Sequence, residues 1–249
     1  MTKSCEEGAR SPKKCVEPVL SVRDLVIDIV HEGRILRIID AISFDIYSGE
    51  VIDLVGPSGC GKSTLLLTVA RLRPKTSGHM SICGRDEQEM DGRSWRQSVV
   101  YVPQKATLIG GSVSDNLLIP WKFSCRKKVP APKDDILRAG LDALGLRDVE
   151  LDRDAKRLSG GQAARIALLR ALVLKPPLLL LDEVDAALDD ESAALVGAYV
   201  RSCAEAGQAF VRVRHRPPDG FATRRVYLAE GHITSARSDG ADDSVERKL

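Results

Sequence analysis

The sequence predicts an α/β fold with a parallel core sheet, a small antiparallel β layer at its N-terminal side and an inserted helical subdomain. Three observations lead there. The runs 51–55 (VIDLV), 178–181 (LLLL) and 210–213 (FVRV) are short and nearly continuous in apolar residues, as strands buried on both faces are. Residues 63–72 and 191–206 carry apolar residues at helical spacing and lie among those runs, which is the alternation of a parallel sheet. The stretches 19–28 and 36–46 instead alternate apolar and polar residues, so they read as antiparallel strands with one wet face.

Residues 105–157 differ in texture. A helical pattern at 134–144 sits between Pro- and Lys-rich loops and no strand is evident, so this piece is the expected helical subdomain. The folded part is expected to span 19–234, between a polar leader (1–18) and a polar tail (235–249), both mobile by composition.

Composition narrows the function. With 37 Lys and Arg against 35 Asp and Glu among 249 residues, the net charge of +2 does not point to nucleic acid. The six cysteines are scattered, with no CxxC pair and no Cys/His spacing that suits zinc, and read as free thiols in a reducing compartment. No stretch approaches the ~20 consecutive apolar residues of a membrane-spanning helix. The N-terminus has no apolar core of signal-peptide length, so a cytoplasmic location is expected.

The chemistry lies in three short strings. Gly56, Pro57, Ser58, Gly59, Cys60, Gly61, Lys62, Ser63 and Thr64 fit the phosphate-loop pattern G-x4-G-K-[ST], between a buried strand and a helix. The glycines let backbone N–H groups turn inward, Lys62 reaches β and γ phosphates, and the Ser63 hydroxyl suits Mg2+. In the second string the apolar run 178–181 ends in Asp182 and Glu183. Buried strands end in charge where something compensates it; Mg2+ held by Asp182 would do so, leaving Glu183 as general base toward water. Solvated acids at a sheet edge are the plainer alternative for this string alone. Third, Ser159, Gly160, Gly161 and Gln162 open a helical stretch and present N–H groups and a hydroxyl to an anion, forming a second phosphate cradle.

The phosphate loop, LSGGQ at 158–162 and LLLLDE at 178–183, in that order, resemble the ATP-binding cassette ATPases of ABC transporters. The resemblance covers nearly all of 19–234 and implies a P-loop NTPase (RecA-like) core with the ABC-type β layer and helical subdomain. It implies ATP and Mg2+ as ligands, and a second cassette, expected as a homodimer, in which each ATP lies between the phosphate loop of one copy and the LSGGQ of the other. By the same resemblance Gln104 matches the glutamine that contacts Mg2+ and the attacking water. Asp189 matches a residue facing the partner cassette, with a helix N-cap as the alternative, and His215 matches the histidine near the γ-phosphate.

Departures are visible too. No aromatic residue stands in 29–33 where cassettes stack adenine, and His31 is the one ring there. Val184 replaces a common Pro, Arg214 and Arg216 flank His215, and Asp53 interrupts an apolar strand without an evident reason. The stretch 93–104, followed by 113–121, resembles ATPase subunits of the FetA type, which implies a FetB-like integral-membrane permease, metal (iron) export, and a peripheral position on the cytoplasmic face of the membrane. Trp121 is then either an anchor for that permease or a core residue of the helical subdomain. A soluble cassette that switches a non-membrane complex is the alternative function.

Overall fold

The computed structural model describes residues 17–126 and 128–237. Two sheets stand at its centre. The first is antiparallel, in the order β2-β1-β4-β5, built from β1 (Leu20–His31), β2 (Arg34–Ile46), β4 (Ser77–Ile82) and β5 (Arg85–Asp86). The β1–β2 hairpin was expected, but it is longer than the alternating runs suggested and has acquired two further strands.

The second sheet has the order β10-β9-β3-β8-β7-β6. Its strands are β3 (Val51–Val55), β6 (Val99–Val102), β7 (Leu178–Asp182), β8 (Ala209–Val213), β9 (Arg224–Ala229) and β10 (His232–Arg237). All pair in parallel except β10 on β9. β10 runs three residues past the expected boundary at 234; most of the expected leader and tail lies outside the described residues.

Alternation along these strands divides the core in two. Ile52, Leu54, Leu178, Leu180 and Val211 face the antiparallel layer and α1 (Lys62–Val69). Val51, Leu179, Leu181 and Phe210 face the other way, toward the helices. Strands buried on both faces have no wet side to alternate with, which is why their sequences read as unbroken apolar runs.

The helices are α1, α2 (Gly92–Ser98), α3 (Val113–Leu118), α4 (Asp134–Ala143), α5 (Gly160–Leu172) and α6 (Asp190–Glu205). The described residues of 105–157 hold α3, α4 and short 3-10 turns, and among them the one isolated β-type bridge is Ser112 to Asp154. Its buried Val113, Leu117, Leu137 and Leu141 join the same apolar cluster as α5 and α6, so it is packed onto the core. Trp121 is half-buried, its ring under Arg126 (5.5 Å) and its indole N–H donating to the Pro130 carbonyl (3.1 Å), so it is not a core residue of the subdomain.

Candidate active site

Four of the parallel strands end on one side of the sheet, and each delivers a site residue there. The phosphate loop follows β3, Gln104 follows β6, Asp182 closes β7 with Glu183 next, and His215 follows β8. Parallel strands all point the same way, so residues far apart in sequence meet where their carboxyl ends do.

The loop after β3 is tightly enclosed. Gly56 has φ 153, and a Cβ there would lie 2.1 Å from the Leu228 carbonyl oxygen of β9. Gly61 has φ 103, and its Cβ would lie 2.4 Å from Ile38 Cγ2 of β2. Both a left-handed backbone and close approach therefore demand glycine. The loop runs into α1, whose N-terminus is capped by no side chain and has no acidic residue in its first turn, so its N–H groups are available to an anion. Lys62 is buried (6% exposed), and its ammonium donates to the carbonyls of Gly56 (2.9 Å) and Pro57 (2.8 Å).

Asp182 is 5% exposed. One carboxylate oxygen accepts from the Ser63 hydroxyl (3.1 Å) and the other from the Tyr101 hydroxyl (2.8 Å). Burial, and then the adjacent Asp182 carboxylate, push the Tyr101 phenol well above its ordinary pKa, so it stays a donor. Both partners of Asp182 are neutral, and among the described residues it forms no ion pair. A buried carboxylate and a hydroxyl oxygen side by side, short of positive charge, fit a hard cation such as Mg2+.

Glu183 begins the loop beyond β7 in a left-handed conformation (φ 50), its N–H donating to the Val213 carbonyl of β8 (3.0 Å). That turn aims its carboxylate between two neighbours. Gln104 Nε2 donates to one oxygen at 2.6 Å, and His215 Nε2 lies 2.8 Å from the other. An ionised carboxylate only accepts, so with Glu183 charged the shared proton sits on His215 Nε2. The three residues come from three strand ends and form one unit.

Ser159 caps α5: its hydroxyl accepts from the Gln162 N–H (3.2 Å) and the Gln162 side chain accepts from the Ser159 N–H (3.0 Å), a capping box. Here the LSGGQ string packs beside Ala187 and Leu188, since a Cβ on Gly161 would meet Leu188 Cδ2 at 3.4 Å and the Ala187 carbonyl at 3.8 Å. It is not bonded into the Glu183 or Asp182 groups. Asp189 is an N-cap, accepting from Ser192 N–H (2.7 Å) at the start of α6.

Asp53 now has an explanation. Directly across the β3–β8 ladder it meets Arg212, whose guanidinium lies 2.8 Å away; both are 4% exposed. Arg212 also grips Asp219 through two bonds, 2.9 and 3.1 Å. Burial works to raise the Asp219 pKa, but Arg212, the Phe221 N–H and Arg214 outweigh it and hold the carboxyl below the ordinary range. Arg214 bonds to Asp185 (2.7 Å) and lies 2.5 Å from Asp219 without an aligned hydrogen bond.

Sequence reading did not single out Tyr101, Asp185 or Asp219. Tyr101 had a signal: a hydroxyl in the apolar strand VVYV, three residues before Gln104. Asp53 and Arg212 had one as well, each being the sole charge within an apolar run and opposite in sign.

The chain is similar to known proteins in sequence and in fold. The family model described as "ABC transporter" matches residues 39–186. The "Probable iron export ATP-binding protein FetA" of Escherichia coli (strain K12) is 41% identical over 156 residues, covering 63% of this chain and 68% of that one. The "ABC-type transporter kk1G" of Curvularia clavata is 32% identical over 224 residues, 86% of this chain but 16% of the other, so the chain spans less than a fifth of that relative. Among solved structures, the ATP-binding cassette MJ0796, a dimer in a post-hydrolysis state bound to ADP and Pi, superposes with a TM-score of 0.75 at 25% identity, covering 89% of this chain and 100% of that one. A bacterial Atm1-family ABC exporter with ATP bound shares the fold, with a TM-score of 0.73 at 23% identity, covering 87% of this chain and 38% of the other. The chain thus belongs to the ABC transporter family, as one of its ATP-hydrolysing cassettes.

Proposed function

We propose that the chain hydrolyses ATP at the strand-end cluster and drives a separate membrane permease, with metal export, of iron in particular, as its task. The observation that carries the catalytic part is the Gln104–Glu183–His215 unit, at 2.6 and 2.8 Å, beside the Ser63–Asp182–Tyr101 group. In this reading the ATPase domain spans 19–234 with its helical subdomain at about 105–157.

The phosphates lie in the loop 56–64, against its N–H groups and the start of α1. Lys62 exchanges its two carbonyl contacts for phosphate oxygens, and an ammonium released from neutral acceptors onto anions gains by the exchange. Ser63, Asp182 and Gln104 supply oxygen donors for Mg2+, which when bound neutralises charge on the phosphates. Tyr101 keeps the Asp182 carboxylate aimed at that place. Glu183 accepts the proton of the attacking water, and His215 and Gln104 hold its carboxylate in position. Ser159, Gly160, Gly161 and Gln162 serve the nucleotide of a second copy; within this chain the Ser159 and Gln162 side chains bond to each other and to Asp148, not to Glu183 or Asp182. A homodimer is the assembly this reading takes, supported by the likeness to the dimeric cassette MJ0796, and Asp189 can both cap α6 and face the partner.

Metal export rests on the likeness to the FetA protein. Among the described residues no group of three or more His, Cys, Asp or Glu is placed to hold a metal ion, so a FetB-like permease would carry the cargo site. Among them, too, no helix is long and apolar enough to cross a membrane, in keeping with a peripheral place on the cytoplasmic face.

Glu183→Gln or Lys62→Ala is expected to abolish phosphate release from ATP; a variant with wild-type turnover would remove the assignment. Tagged protein recovered from detergent-solubilised membranes of its own cells should bring down a multi-span apolar partner, identified by mass spectrometry. Recovery of soluble partners alone would favour an ATP-driven switch of a non-membrane complex instead.

A further inference from the structure

His215 is 53% exposed at its side chain, so packing does little to fix it. The residues on either side of it are fixed much more firmly. Arg214 Nε donates to the Asp185 carboxylate (2.7 Å). Arg216 Nε donates to the Asp185 carbonyl (3.2 Å), its Nη1 pairs with the Asp190 carboxylate (2.6 Å), and its Nη2 donates to the Leu188 carbonyl. Segment 213–216, which holds His215, is thereby cross-braced to segment 183–190, which begins with Glu183. The Glu183 N–H on the Val213 carbonyl closes the brace at its near end.

Magnitudes indicate what the brace is for. The Asp190 side chain is fully exposed, and ion pairs in water contribute little stability. A planar guanidinium that meets three acceptors on one loop does, however, fix geometry well. We propose that Arg214 and Arg216 are positioning residues, which set the approach of His215 Nε2 to the Glu183 carboxylate by holding their two loops in register. The proposal rests on the reading of Glu183 and His215 given above. Neither arginine reaches the phosphate loop, so the brace should act on turnover and leave nucleotide affinity alone.

Arg214 is the counter-charge of buried Asp185, and its loss would test folding before catalysis. The test therefore uses Arg216→Gln and Arg216→Lys in the full chain, with steady-state phosphate release and binding of a fluorescent ADP. For Arg216→Gln, KM and ADP affinity are expected within about twofold of wild type, and kcat lower by about ten- to a hundredfold, the scale of a misplacement near 1 Å. Arg216→Lys should recover only part of the loss, since one ammonium cannot span the three acceptors. Asp190→Asn, at a fully exposed residue, cuts one strut without disturbing the core and should lower kcat about two- to fivefold. A kcat within twofold of wild type for Arg216→Gln, or a raised KM at unchanged kcat, overturns the proposal. Glu183→Gln measured alongside separates the two ideas: if it is inactive while Arg216→Gln is normal, only the brace fails, and if it retains turnover the catalytic reading itself falls.

Discussion

Removing Arg212 should cost far more than removing either of its acidic partners. The buried network contains three carboxylates, Asp53, Asp185 and Asp219, and two guanidiniums, Arg212 and Arg214. Arg212→Met leaves Asp53, 4% exposed, with no cation beside it, and breaking a buried pair in this way costs about 3–5 kcal/mol. For a chain of this size each kcal/mol lowers Tm by about 2–4 °C, so a fall of about 6–20 °C is expected. Asp53→Asn instead balances the remaining charges two against two and leaves Arg212 doubly bonded to Asp219. One charge-assisted bond is lost, partly offset by that balance, for a cost of about 1–2 kcal/mol and a fall of about 2–8 °C. Replacing both, Arg212→Met with Asp53→Leu, should recover at least half of the single Arg212 loss, because no buried charge is then stranded on β3. Thermal unfolding followed by far-ultraviolet circular dichroism without nucleotide gives all three values. Equal falls for Arg212→Met and Asp53→Asn, or a double variant no more stable than Arg212→Met, would refute the charge accounting.

Other outcomes follow from the same structure. Gly56→Ala should give little folded protein or none that binds nucleotide, checked by solubility and fluorescent ADP binding, because its methyl would press on the Leu228 carbonyl. Tyr101→Phe withdraws a hydrogen bond from a buried carboxylate and should lower stability by about 1–3 kcal/mol in a melting experiment, with the loss reduced when Mg2+ and nucleotide are added. Ser159→Ala removes the cap of α5 and should cost about 1 kcal/mol in melting; a fall in turnover well beyond that would mark the phosphate-cradle role. Because the folded-state pKa of Asp219 lies below its unfolded value of about 3.9, its contribution is complete above that pH and is lost as pH falls toward the folded value. Asp219→Asn should therefore flatten the acid limb of a stability-against-pH curve.

The parts of the site that the sequence disclosed are those with local causes. A phosphate loop is specified by spacing within nine residues, a strand buried on both faces by its unbroken apolar run, and a capped helix by Ser159 and Gln162 three apart. Tyr101 and Asp182 are 81 positions apart, and only the pairing of β6 with β7 brings them together. The two extra strands of the antiparallel layer escaped notice because β4 reads SGHMSI and β5 is two residues long, too short and too polar to show a period. Asp53 and Arg212 lay between these cases. Opposite lone charges in two apolar strands could have predicted that β3 and β8 are neighbours, in the register that sets the charges face to face.

Glu183 occupies a backbone conformation that suits glycine better than glutamate (φ 50). A non-glycine residue there costs on the order of 1 kcal/mol, so under the catalytic role proposed for Glu183 the most stable chain and the working chain are different sequences at this position. Selection for stability alone would drift toward glycine and lose the carboxylate that Gln104 and His215 hold. Efforts to make this cassette hardier should leave position 183 alone and seek their gains elsewhere.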